Sequence, residues 1–75
     1  MSRNVRLIDG RGLLPPEPFE LTLAALEDLE RGAELVLLLY REPHPLYQVL
    51  RQNGFAHRIE SLDDGTFEIH ITHAA

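Results

Sequence analysis

The side chains able to do chemistry concentrate in one short stretch, Arg41-Glu42-Pro43-His44-Pro45-Leu46-Tyr47. There a guanidinium, a carboxylate, an imidazole and a phenol share a proline-stiffened backbone. Such a set could bind a small charged ligand, or it could close on itself as ion pairs around a turn. A second set, Asp9 and Arg11, stands at the end of the first apolar segment. Both sets follow segments that read as strands, and ligands of α/β sheets bind beyond the carboxyl ends of strands. If those strands are neighbours, Asp9, Arg11, Arg41, Glu42 and His44 face one small cleft, with Tyr47 beside it or packed on a helix edge. No Ser/His/Asp order, glycine-rich phosphate loop or paired-carboxylate spacing accompanies them. The expectation is therefore a non-enzymatic binding or protein-interaction module, the alternative being a small-molecule or metal-binding protein with its site around Arg41, Glu42 and His44.

Composition narrows the partners. Twelve acidic residues against seven arginines give a formal charge of -5 over 75 residues. An acidic surface repels phosphate, so nucleic acid is not an expected partner. The chain contains no cysteine, which excludes disulfides, thiolate metal sites and any thiol mechanism of its own. The longest unbroken apolar run, Leu35 to Tyr40, is six residues, far short of the roughly 20 that span a bilayer. With no apolar stretch of signal-peptide length after Met1, a cytoplasmic location and no membrane partner are expected. At 44% apolar and 25% charged, the chain reads as one small globular domain, residues 1–75.

The elements that must position these residues alternate along the chain. Val5 to Ile8 is short and β-branched and is punctuated by Asp9-Gly10-Arg11-Gly12, which predicts a first strand. Pro18 fits the first turn of a helix, with Glu17 and Glu20 at its positive end. Phe19, Leu23, Leu26 and Leu29, widened by Leu21, Ala24 and Ala25, carry that helix to Arg31, and Gly32 stops it. The run from Glu34 to Tyr40 lacks alternation and predicts a strand buried on both faces, or an interior strand of a mixed sheet, parallel to the first through a right-handed crossover. Leu46, Val49 and Leu50 predict a short second helix, opened by Pro45 and closed by Asn53-Gly54.

The last third reads as a hairpin. A two-residue Asp64-Gly65 turn would put the apolar rows of the two strands on opposite faces. A three-residue loop, Asp63 to Gly65, pairs Ile59 with Ile69 and Ser61 with Phe67 and places Gly65 in a left-handed bulge position. In that register His57 faces Ile71, His73 lies diagonally about 7–8 Å from His57, and His70 points to the other face opposite Arg58. His57, His73 and a carboxylate are a conceivable metal set, but no helical ligand spacing supports them. The expectation is no metal and no cofactor.

The order is thus βαβαββ. The fold class is an α+β two-layer sandwich: a four-stranded mixed sheet with two helices packed on one face. Some of the apolar residues from Leu35 to Leu39 must then point to the open sheet face. An apolar strip there implies a protein partner or a homodimer, although one or two exposed leucines also occur without any.

At Gly12-Leu13-Leu14-Pro15-Pro16-Glu17-Pro18 the sequence resembles the TusA/SirA-like family of sulfur-carrier domains, whose signature is Gly-Leu followed by Cys-Pro-x-Pro at the start of the first helix. Gly12, Leu13, Pro16, Glu17 and Pro18 match that pattern, and Pro15 holds the cysteine position. With the Glu42-Pro43-His44-Pro45-Leu46-Tyr47 segment, the chain is similar to a cysteine-lacking branch of that superfamily, described as domains of unknown function. The resemblance spans essentially the whole chain and implies a TusA-like βαβαββ sandwich. Persulfide relay needs a thiolate, and proline supplies no nucleophile, so the implied sulfur chemistry is not expected here. The first helix entry keeps the backbone donors of an anion site, but three prolines and two glutamates equally suit a rigid structural entry that packs Leu13 and Leu14.

Overall fold

The computed structural model describes residues 4–74. Its elements run β1 (Val5–Asp9), α1 (Glu17–Glu27), β2 (Glu34–Leu39), α2 (His44–Gln52), β3 (Phe55–Ser61) and β4 (Phe67–His73). The sheet order is β1-β2-β4-β3, with β1 and β2 parallel and the other neighbours antiparallel. A crossover helix must separate two parallel strands, whereas the hairpin needs only a tight turn, and both requirements match the local sequence.

The hairpin adopts the register that side-chain parity demands. Ile59 lies opposite Ile69 and Ser61 opposite Phe67. The Leu62 N–H donates to the Thr66 carbonyl at 2.8 Å and the Gly65 N–H to the Leu62 carbonyl at 3.1 Å, closing the loop. Gly65 takes φ +89°, a region costly for any residue with a Cβ.

One sheet face carries both helices. Leu35, Leu37, Ile69 and Ile71 point into it and meet Ala25, Leu26, Leu46, Tyr47 and Leu50 in a single core. Among the described residues no element covers the opposite face. Through the strand pairings, Val5, Leu7, Val36 and Leu38 share that face with Glu34, Arg58, Glu60, Glu68 and His70. The apolar strip expected there is present, with Val5 and Leu7 exposed and Val36 largely shielded by its neighbours.

The first helix departs from its predicted extent. It begins at Glu17 and ends at Glu27, with Asp28 as its C-cap, so Arg31 lies outside the last turn. Leu29 leaves the helix to plug the core and Ala33 follows it inward, both nearly fully buried. Burial of Leu29 outweighs another turn of exposed helix, because most helical stability comes from packing of the apolar face. The inward stripe also differs. Leu21 and Ala24 face solvent, while Thr22 is fully buried and its hydroxyl donates to the Pro18 carbonyl at 2.8 Å. That bond satisfies the hydroxyl locally and lets a polar residue occupy a core position. The second helix begins one residue earlier than Pro45, at His44, and ends at Gln52, with Asn53 as its C-cap and Gly54 following at φ +81°. Among the described residues no helix is long and apolar enough to cross a membrane.

Candidate functional site

Parallel pairing brings the carboxyl ends of β1 and β2 together, as Asp9 lies opposite Leu38. Both strands then leave the sheet into proline-rich loops that enter α1 and α2. Between the N-terminal ends of the two helices these loops enclose a cleft of about 580 Å³. Its walls are largely apolar, built from Leu13, Leu14, Pro15, Phe19, Leu39 and Leu46, and its polar edge is Arg11, Arg41 and Glu42. The Pro15–Pro16 peptide bond on this wall is cis.

Asp9 and Arg11 form a closed pair. The Arg11 Nε and Nη2 donate to the two Asp9 carboxylate oxygens, each at 2.9 Å, and the Arg11 backbone N–H donates to Asp9 Oδ1 at 3.1 Å. The same guanidinium reaches the hairpin turn, 3.8 Å from Asp64. Hydrogen bonding to Arg11 lowers the Asp9 carboxyl from 3.8 to about 2, and Asp9 in turn raises the Arg11 guanidinium above its ordinary value. Asp64 is lowered by the Thr66 hydroxyl and backbone N–H. Arg11 is thus a strut joining two loops, while Arg41, exposed at the cleft edge, has no ion-pair partner among the described residues.

The pair has a measurable pH signature. Because the folded-state value of Asp9 lies below the unfolded one, its stabilising contribution is complete above pH 3.8 and is lost as pH falls towards about 2. Carboxyl-detected NMR titration is expected to place the Asp9 midpoint near 2, and Asp9→Asn should flatten the acid limb of the stability curve in that window. A midpoint at the ordinary aspartate value would mean that the pair does not form in solution.

The second predicted set separates. Arg41 and Glu42 line the cleft, whereas His44 is exposed outside its walls, with Nε2 3.9 Å from Glu42 Oε1. Tyr47 turns into the core and stacks on His57, ring centroids 4.6 Å apart and nearly parallel. Its hydroxyl is buried without a well-formed hydrogen bond among the described residues. Burial, and then the negative charge of the nearby Glu42, push that phenol up to about 12. Of the resembled motif, Leu13, Pro15, Pro16 and Pro18 line the cleft, while Glu17 opens the helix and exposed Gly12 sits in the loop before it.

His57 and His73 do not converge on a metal. His57 is held against Tyr47, and His73 lies against Phe55 with its Nε2 2.6 Å from the Leu29 carbonyl. Aromatic stacking and a backbone acceptor give each ring a structural role. Sequence reasoning named Leu13, Pro15, Pro16 and Pro18 of the cleft's walls but missed Phe19, Leu39 and Leu46 as part of them. Phe19, Leu39 and Leu46 follow helix and strand periodicity like any core residue, so no local signal marks them as surface of a site.

Comparison with known proteins places the chain. A family model described as "Uncharacterized conserved protein (DUF2249)" matches residues 7–73. A crystal structure of a SirA-like protein from Desulfitobacterium hafniense superimposes with a TM-score of 0.80 at 23% sequence identity, covering 95% of this chain and 99% of that one. At that identity the likeness establishes the shared fold. No curated protein matches the sequence.

Proposed function

The chain belongs to the DUF2249 family on a SirA-like fold, and from that premise we propose that it is a non-enzymatic binding module whose cleft seats an apolar group carrying a negative charge. The cleft itself carries this reading. Its volume of about 580 Å³ falls within the roughly 300–1,000 Å³ of small-ligand sites, and its few polar groups on apolar walls have the usual make-up of one. Arg41, which has no ion-pair partner among the described residues, supplies a cation for an anionic end, since Arg11 is committed to Asp9. With Pro15 in place of a thiol and no nucleophile–base pair on the walls, binding without turnover is the activity these residues support.

A heteronuclear NMR titration with aryl and alkyl carboxylate fragments tests it. The expected outcome is shifts confined to amides of residues 11–18 and 39–46, lost in Leu14→Glu and weakened in Arg41→Ala. Fragments that move no cleft amide would refute the reading. A second reading, a homodimer or protein partner on the open face, rests on the adjacency of exposed Val5 and Leu7 to Leu38. The same spectra distinguish it, because self-association would make the Leu7 and Leu38 amides depend on protein concentration.

A further inference from the structure

On the face opposite the cleft, the strand register gathers a second cluster. Glu68 and His70 stand two residues apart on β4 and so point to the same side. Glu60 of β3 lies directly opposite Glu68, and Arg58 directly opposite His70. On the other flank Val36 of β2 faces His70, which puts Glu34 on the same face one step along the strand. The sheet order thus brings three carboxylates from three strands around one imidazole.

The contacts are close. His70 Nε2 is 2.6 Å from Glu68 Oε1, and His70 Nδ1 is 3.5 Å from Glu34 Oε1. The His70 and Glu34 side chains are each only 12% exposed. Donor atoms of Glu60, Glu68 and His70 all lie within 4.8 Å of one another. Zinc ligands at roughly 2.0–2.2 Å in tetrahedral positions stand about 3.3 Å apart. Binding an ion would bring these donor atoms, already within 4.8 Å of one another, to that spacing, with Glu60, the most exposed of the three, turning from Arg58.

The electrostatics ask for a cation. Like charges directly opposite on an antiparallel pair are destabilising, and here Glu60 faces Glu68. Arg58 pairs with Glu60 and its Nη2 lies 3.5 Å from His70 Nδ1. Glu60 and Glu68 together exceed the Arg58 guanidinium by one negative charge. Glu34 sits where a carboxylate typically orients a metal-bound histidine, on the ring nitrogen away from the metal.

We propose that Glu60, Glu68 and His70 form a binding site for a first-row divalent cation, zinc or manganese in character. His70 Nε2 and one oxygen of each glutamate are the ligands, and Glu34 orients the ring. One imidazole with two carboxylates suits these ions, and the solvent-facing side leaves positions for water. The site is separate from the cleft, so it does not depend on the function proposed above.

Calorimetric titration of the whole chain with zinc chloride and with manganese chloride tests the assignment. One equivalent of at least one ion is expected to bind with micromolar affinity. His70→Asn and Glu68→Gln should each weaken binding about tenfold or more. Glu60→Gln, on an exposed edge position that does not threaten folding, should weaken it as well. Arg58→Ala should strengthen it by removing the competing cation, and His44→Ala should leave it unchanged. Long-range nitrogen–proton spectra should show the His70 Nε2 resonance moving on addition of zinc. Absence of binding by the intact chain, wild-type affinity in folded Glu60→Gln and Glu68→Gln, or loss of binding in His44→Ala would overturn the proposal.

Discussion

Leu35→Ala is expected to lower the thermal midpoint by about 10–30 °C, the largest effect of any conservative change in this domain. Leu35 is completely buried on the central strand β2, between Arg6 of β1 and Ile71 of β4, with both helices packed over its face. Truncation removes its transfer free energy and leaves a cavity that two paired strands cannot collapse around, which together cost about 2–5 kcal/mol. A domain of this length has only a small core from which to draw stability, so a loss of that size consumes much of the total. Leu14→Ala provides the contrast. Leu14 is 80% exposed, and its truncation should change stability by no more than about 0.5 kcal/mol. Differential scanning calorimetry of the two variants reads both numbers. Equal midpoints would mean that the core does not pack around β2 as described.

Gly10→Val is the second large effect, and it links the fold to the cleft. The Gly10 N–H donates to the Leu38 carbonyl at 2.8 Å, prolonging the β1–β2 ladder by one residue into the loop. A Cβ there would lie 2.8 Å from Leu39 Cδ2 and 3.3 Å from both the Leu38 carbonyl oxygen and Pro18 Cβ. The Leu39 methyl can swing aside. The Leu38 backbone and the Pro18 ring cannot, because one is tied into the sheet and the other into the first turn of α1. Alanine should therefore cost about 1 kcal/mol and valine about 2–3 kcal/mol by overpacking. Because Leu39 is also a cleft wall, the clash is relieved by displacing its side chain, which reshapes the cleft. Gly10→Val should thus lose fragment binding even at temperatures where it remains folded. Denaturant midpoints measure the first effect and NMR titration the second. Wild-type binding in folded Gly10→Val would show that the glycine does not set the spacing between these walls.

Both predictions concern long-range contacts, and that is where sequence and structure divide. The hairpin was legible because alternation has period two. A loop of the wrong parity would have turned Phe67, Ile69 and Ile71 away from Ile59, and only one loop length avoids that cost. The crossover order was legible because prolines, glycines and apolar runs punctuate the chain locally. The extent of α1 was not. Whether Leu29 extends a helix or plugs a core depends on what it meets, and the residues it meets are distant in sequence. Thr22 escaped for the same reason, since its hydroxyl is satisfied within its own helix and leaves its methyl free to pack. The pairing of Asp9 with Arg11 is a two-residue contact. The grouping of Arg11 and Arg41 around one cleft required the two strands to be neighbours, as they are.

What the amino-acid order settled alone is the succession of elements, the register of the hairpin and the absence of a thiol at Pro15. Each of these follows from local sterics, side-chain parity or composition. The insertion of β4 between β2 and β3 was decided by the folded chain, and with it the meeting of Glu34, Glu60, Glu68 and His70. The volume of the cleft belongs to the same class. Strand order and cavity shape arise from the simultaneous burial of many apolar side chains, a collective quantity that no single stretch of sequence encodes.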